Sequence, residues 1–158
     1  MLCQVSVQWG VAILKITTDL DFLHKKSKPV TVFDARLHAL INDMRDTLAD
    51  AEGAGIAAVQ VGVLWRVCLV MTPNGVVEFV NPEILSQRNP KTGKEMCLSL
   101  PQVCHRVFRP QLVTVVAKDR NGNDFTIDLE KIGAVCVCHE IDHMDGIVIT
   151  DHPEGKPK

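Results

Sequence analysis

His139 and His143 stand four residues apart, and Glu140 follows the first of them. On a helix, side chains at i and i+4 lie one above the other, roughly 5–6 Å apart at Cβ, so two imidazoles can converge on one metal ion. Glu140 points partly toward the same place and suits a general base better than a ligand. The histidines continue an apolar stripe of Ile132, Val135 and Cys136. Burying them there calls for polar partners, and a metal supplies one. Alone, His139-Glu140-Ile141-Asp142-His143 describes a hydrolytic metal site and fits a protease as well as any other hydrolase.

A catalytic site of this kind needs a third protein ligand and leaves one position for water or substrate. Cys136 shares the stripe but lies two turns from His143. Cys138 points about 100° away from His139 around the helix axis. The third ligand must therefore come from outside the helix. Two further segments carry unusual residue combinations, Gly53-Ala54-Gly55-Ile56-Ala57-Ala58-Val59-Gln60 and Glu95-Met96-Cys97-Leu98-Ser99.

With the three segments in this order, the chain from about Ile13 to Asp151 resembles the peptide deformylase family. That family carries a glycine-hydrophobic-glycine-hydrophobic-alanine-alanine-x-glutamine loop, a glutamate-glycine-cysteine-leucine-serine segment and a glutamine-histidine-glutamate-x-aspartate-histidine helix. The resemblance implies a metal held by Cys97, His139 and His143, with iron(II) as the physiological ion and zinc, nickel or cobalt able to replace it. It implies Glu140 as proton carrier, with the Gln60 side-chain amide and the Leu98 backbone N–H as oxyanion donors. Gly53 and Gly55 would let backbone pass close to an extended peptide. Ala54, Ile132, Val135 and Cys136 would line a methionine pocket, with Glu95 and Met96 beside the substrate. The implied activity removes the formyl group from N-formylmethionine at the start of nascent polypeptides, including those near the ribosome, and releases formate. Two alternatives keep the fold: altered acyl or peptide specificity, or a silent binder of metal or peptide.

Four positions depart from the family pattern. Met96 replaces a glycine, Cys138 a glutamine, Val59 a frequent proline, and Cys104 falls where bacterial members often place a substrate-contacting arginine. His105, Arg106 and Arg109 are the nearby cations that could stand in for it. The chain ends soon after the metal helix, which implies a branch with a short tail.

These residues must be held by definite elements. Leu37, Leu40, Ile41, Met44 and Leu48 follow helical spacing, predicting a helix from Ala35 to about Ala51 with Asp34 as N-cap. Leu64–Met71 and Val76–Val80 read as strands joined at Pro73-Asn74-Gly75. Leu112–Lys118 and Phe125–Leu129 read as a second hairpin whose Asn121-Gly122 suits a type I′ turn. The metal helix should run from about Glu130 to Asp145 and close at Gly146 as C′ residue. The expected class is α+β, with antiparallel sheets packed around a central metal-binding helix. One catalytic domain should span 1–158, its polar end, Asp151 to Lys158, lacking a packed element.

Composition agrees. The chain has 158 residues, 46% of them hydrophobic, enough for one core and too few for two ordinary domains. Seventeen basic and 19 acidic residues give a net charge of −2 without charged blocks, so neither nucleic acid nor an anionic membrane is an expected partner. No apolar run approaches the roughly 20 residues that span a bilayer. Without a leader-like start, Cys3, Cys68, Cys97, Cys104, Cys136 and Cys138 read as reduced thiols of a soluble, monomeric cytoplasmic protein.

Overall fold

The computed structural model describes residues 12–157; Cys3 and Lys158 lie outside the described residues. In chain order the elements are α1 (Leu20–Leu23), α2 (Ala35–Asp50), β1 (Gly55–Ala57), β2 (Val67–Thr72), β3 (Gly75–Arg88), β4 (Lys91–Cys97), β5 (Leu100–Arg109), β6 (Leu112–Lys118), β7 (Asp124–Glu130) and α3 (Ile132–Met144). Short 3₁₀ turns occupy Ala58–Val61 and Ile149–Asp151. Five strands form one antiparallel sheet in the order β1-β2-β3-β6-β7, and β4 and β5 form a separate hairpin.

The first four residues of β2, Val67 to Val70, are buried on both faces, which is why that strand reads as an apolar run. Val67 and Leu69 pack with Leu37, Ile41, Met44 and Leu48 of α2. Cys68 and Val70, turned the opposite way, pack with Ala134, Val137 and Met144 of α3. The sheet thus separates two helices, and the site lies on the α3 side. Helix α2 begins where expected, the Asp34 carboxylate accepting from the N–H groups of Arg36 and Leu37.

Helix α3 is apolar nearly all round and correspondingly buried. It ends at Gly146, whose φ of +77° is left-handed and whose missing side chain leaves room for the His24 carbonyl. A Cβ there would sit 2.4 Å from that oxygen.

Three expectations are corrected. The strand after Gly75 does not stop at Val80 but runs to Arg88, bulged around Asn81 and Pro82. The β6–β7 connection is not a two-residue type I′ turn. It spans 119–123, with Gly122 at φ +87° and the Asp119 carboxylate accepting from the backbone N–H groups of Asn121 and Asn123. The polar C-terminal stretch is packed. His105 Nδ1 lies 2.8 Å from Glu154 Oε2, the Gly155 N–H donates to the Arg106 carbonyl, and the Thr92 hydroxyl donates to the Gly155 carbonyl. Glu154 and Gly155 are held by the β4–β5 hairpin, a partnership that composition does not reveal.

Candidate active site

Three structures meet at the site: α3 supplies the histidines and Glu140, the end of β4 supplies Cys97, and the turn after β1 supplies Gln60. Alternation along β4 turns Glu95 and Cys97 inward and Met96 outward. The ligand atoms of Cys97, His139 and His143 lie within 4.8 Å of one another, all three residues buried. The Cys97 Sγ is 3.2 Å from His143 Nε2, and the two imidazoles meet edge to face with ring centres 4.9 Å apart. Ligand atoms about 2.0–2.3 Å from one tetrahedral ion would lie roughly 3.5 Å apart, so this spacing suits a single ion.

The surroundings favour a cation. His139 Nδ1 hydrogen-bonds Glu95 Oε2 at 2.9 Å, which leaves Nε2 to face the ligand cluster. Glu95 receives Arg109 through Nε at 2.8 Å, and Arg109 also donates to Asp142 Oδ2 at 2.5 Å. Burial would raise the Glu95 carboxyl, yet the hydrogen bonds from His139 and Arg109 overcome it and hold it near 2. Burial pushes His143 down to about 3, helped by the neighbouring His139 and Arg109 charges, so it stands as a neutral imidazole. In His139 the hydrogen bonds to Cys97 and Glu95 outweigh burial and raise it to about 10. An ion bound through Nε2 would have to displace the proton this favours, since only the neutral imidazole offers a lone pair.

Glu140 is buried, and its Oε2 has no hydrogen-bond partner. Burial raises its carboxyl to about 7, with the Glu95 charge adding to the rise and the His139 and Arg109 charges opposing it. A carboxyl poised near neutrality with an uncommitted oxygen can both take and return a proton. Gln60 is oriented rather than loose. Its Oε1 accepts from the Ala57 N–H at 2.8 Å, directing Nε2 toward Ser99 Oγ at 3.2 Å and Cys97 Sγ at 3.7 Å.

A cavity of about 430 Å³ opens on this cluster. Every one of the catalytic and substrate positions expected from the sequence lines it: Gln60, Leu98 and Glu140, then Gly53, Ala54, Gly55, Glu95, Met96, Ile132, Val135 and Cys136. Cys97 and His139 border it too, while the His143 side chain is 1% exposed behind them. Among the described residues, β1 ends the main sheet and β4 pairs only with β5. Two strand edges thus border the cavity, where an extended peptide could lie as an added strand.

Several roles shift. Glu95 spends its oxygens on His139 and Arg109, which makes it a brace for a ligand. The glycines are small for the sake of the site itself. A Cβ on Gly55 would lie 2.6 Å from Glu140 Oε1 and 2.7 Å from Cys136 Sγ, and one on Gly53 would meet Leu98 and Leu48. Cys138 is buried in the core below α3. Arg109 is tied to Glu95 and Asp142, and His105 to the C-terminal stretch, so neither takes the place left by Cys104. Sequence reasoning missed the bracing by Arg109 and His152. The His152 ring reaches Asp142 Oδ2 at 2.7 Å, and the only signal was a buried-type motif aspartate, Asp142, without an assigned partner.

The family model described as Polypeptide deformylase matches residues 12–158. The sequence is 49% identical over 142 residues to the peptide deformylase of Caldicellulosiruptor bescii, covering 89% of this chain and 86% of that one. It is 45% identical over 131 residues to the peptide deformylase of Acetivibrio thermocellus, covering 83% and 77%. The fold superposes on the crystal structure of a peptide deformylase from Legionella pneumophila with a TM-score of 0.86 at 43% identity, covering 90% of this chain and 87% of that one. The Thermotoga maritima peptide deformylase gives a TM-score of 0.86 at 33% identity, covering 92% and 99%.

Proposed function

The chain belongs to the polypeptide deformylase family, an enzyme family that hydrolyses the formyl group from N-formylmethionyl polypeptides, and from that premise we propose which of its residues do the work. Cys97, His139 and His143 hold one divalent ion. A thiolate with two imidazoles suits iron(II), the ion we assign, and also accepts zinc, nickel or cobalt. Such an ion would supply Lewis-acid chemistry and lower the pKa of a nearby water toward about 7.

The observation that carries the assignment is Glu140, buried beside the ligand cluster with a carboxyl near 7 and Oε2 uncommitted. It accepts the proton of the attacking water and delivers it to the departing amine. Gln60 Nε2, fixed by the Ala57 N–H, donates to the oxygen that gains charge, and the Leu98 N–H is its partner donor. Ala54, Val135 and Cys136 receive the methionine side chain, since an apolar, sulfur-containing lining suits a thioether. The peptide binds extended between the edges of β1 and β4. Acting on nascent chains as a cytoplasmic monomer is part of this reading. No helix among the described residues is long and apolar enough to cross a membrane.

Formate release from a formylmethionyl peptide, measured on anaerobically prepared protein loaded with iron or nickel, tests the proposal. Release that depends on the metal and on Glu140 is expected; a loaded protein that releases none overturns it.

A further inference from the structure

Among the described residues, Met96 and Ile132 are the most exposed large apolar side chains, at 70% and 66%. Both stand on the wall of the active-site cavity, Met96 from β4 and Ile132 from the first turn of α3. Neither serves the core. Glu95 and Cys97 occupy the buried face of β4, and Met96 projects from the opposite one. Pro101 and Leu98 continue the same wall, and the exposed Cys104 is paired with Met96 in register. Apolar side chains left in water at the mouth of a cavity mark a surface that is covered when the site is filled.

Resting on the deformylase reading, we propose that Met96 is an apolar clamp on the residue following the formylmethionine, favouring an apolar side chain there. The formyl group must reach Gln60, Glu140 and the ligand cluster at the inner end of the cavity. The first side chain then fills the lining of Ala54, Val135 and Cys136. An extended chain advances about 3.3 Å per residue and turns successive side chains to opposite sides. The second side chain therefore turns away from the α3 face of Ile132, Val135 and Cys136 and emerges on the side to which Met96 projects. An unbranched thioether adapts to several apolar shapes, so the selection is by polarity more than by outline. A glycine at position 96 would leave only the neighbouring Pro101 and Leu98 on that wall.

Formate release is measured on two formylmethionyl tripeptides that differ only in the second residue, leucine or serine. The leucine peptide is expected to show a kcat/KM about tenfold higher, carried by KM, the effect of withdrawing roughly 55 Å² of apolar surface from water. Met96→Gly should compress that ratio to roughly threefold, and Met96→Leu should preserve it. Leu85→Ser, which changes a 59% exposed apolar residue on β3 away from the cavity, should leave the ratio alone. Equal kcat/KM for the two peptides, or a ratio unmoved by Met96→Gly, overturns the clamp. No formate from either peptide overturns the deformylase reading and the clamp together.

Discussion

At the scale of single residues, the proposed role of Glu140 rests on burial, which with the Glu95 charge raises its carboxyl to about 7. The deprotonated form is the base, so activity is lost as pH falls through the carboxyl's pKa. A bound cation favours that deprotonated form and moves the loss downward. The acidic limb of kcat/KM should therefore lie between the ordinary 4.5 and about 7. Glu140→Gln should lower kcat by about 10²–10⁴-fold while metal content, read by elemental analysis, stays at the wild-type value. Gly55 gives a second test. An alanine Cβ would press on Glu140 Oε1 at 2.6 Å and Cys136 Sγ at 2.7 Å. Gly55→Ala should cost roughly 10²-fold in kcat/KM by displacing the base, and adding Cys136→Ala should restore part of it. If Gly55→Ala alone matches wild type in steady-state assays, close packing against Glu140 is not why a glycine stands there.

At the scale of elements, what was legible in the sequence follows from how local each signal is. Helices α2 and α3 announced themselves by periodicity, and the Asp34 cap and Gly146 stop by residue type, because those causes lie within a turn or two. The β4–β5 hairpin was not legible as strands. Its residues alternate between solvent and a charged brace, Glu95 and Arg109, that is stable only once His139 and Asp142 are in place. The C-terminal stretch was misread for the same reason. Its Glu154 and Gly155 are held by His105, Arg106 and Thr92, about 50 residues away in sequence or more. His152 joins this stretch to the site by way of Asp142, Arg109, Glu95 and His139. His152→Ala removes one buried hydrogen bond to Asp142 and should destabilise the protein by about 1–3 kcal/mol in urea titrations. It should also speed metal loss to a competing chelator. His152→Gln, which can still donate to Asp142, should recover much of both; a variant with wild-type stability and metal retention would show the stretch to be passive.

At the scale of the whole molecule, the two core clusters meet across one sheet, and the braced carboxylate Glu95 ties that core to the separate hairpin. This makes global stability depend on a group inside the site. Glu95 is held near 2 in the folded chain against an ordinary 4.5. A depressed carboxyl stabilises the folded state fully above 4.5, and the contribution disappears as pH falls toward 2. At about 1.4 kcal/mol per pH unit, the depression is worth on the order of 3 kcal/mol. Urea midpoints of metal-free protein should therefore fall steeply between pH 4.5 and 2. Glu95→Gln should lower the midpoint at pH 7, because Arg109, 6% exposed, would keep Asp142 alone as its counter-charge. The same variant should flatten the acid slope, since the titrating group is gone. A variant that unfolds along the same steep acid slope as wild type would place the acid-sensitive coupling elsewhere in the chain, and Asp142, the other carboxylate on Arg109, would be the group to change next.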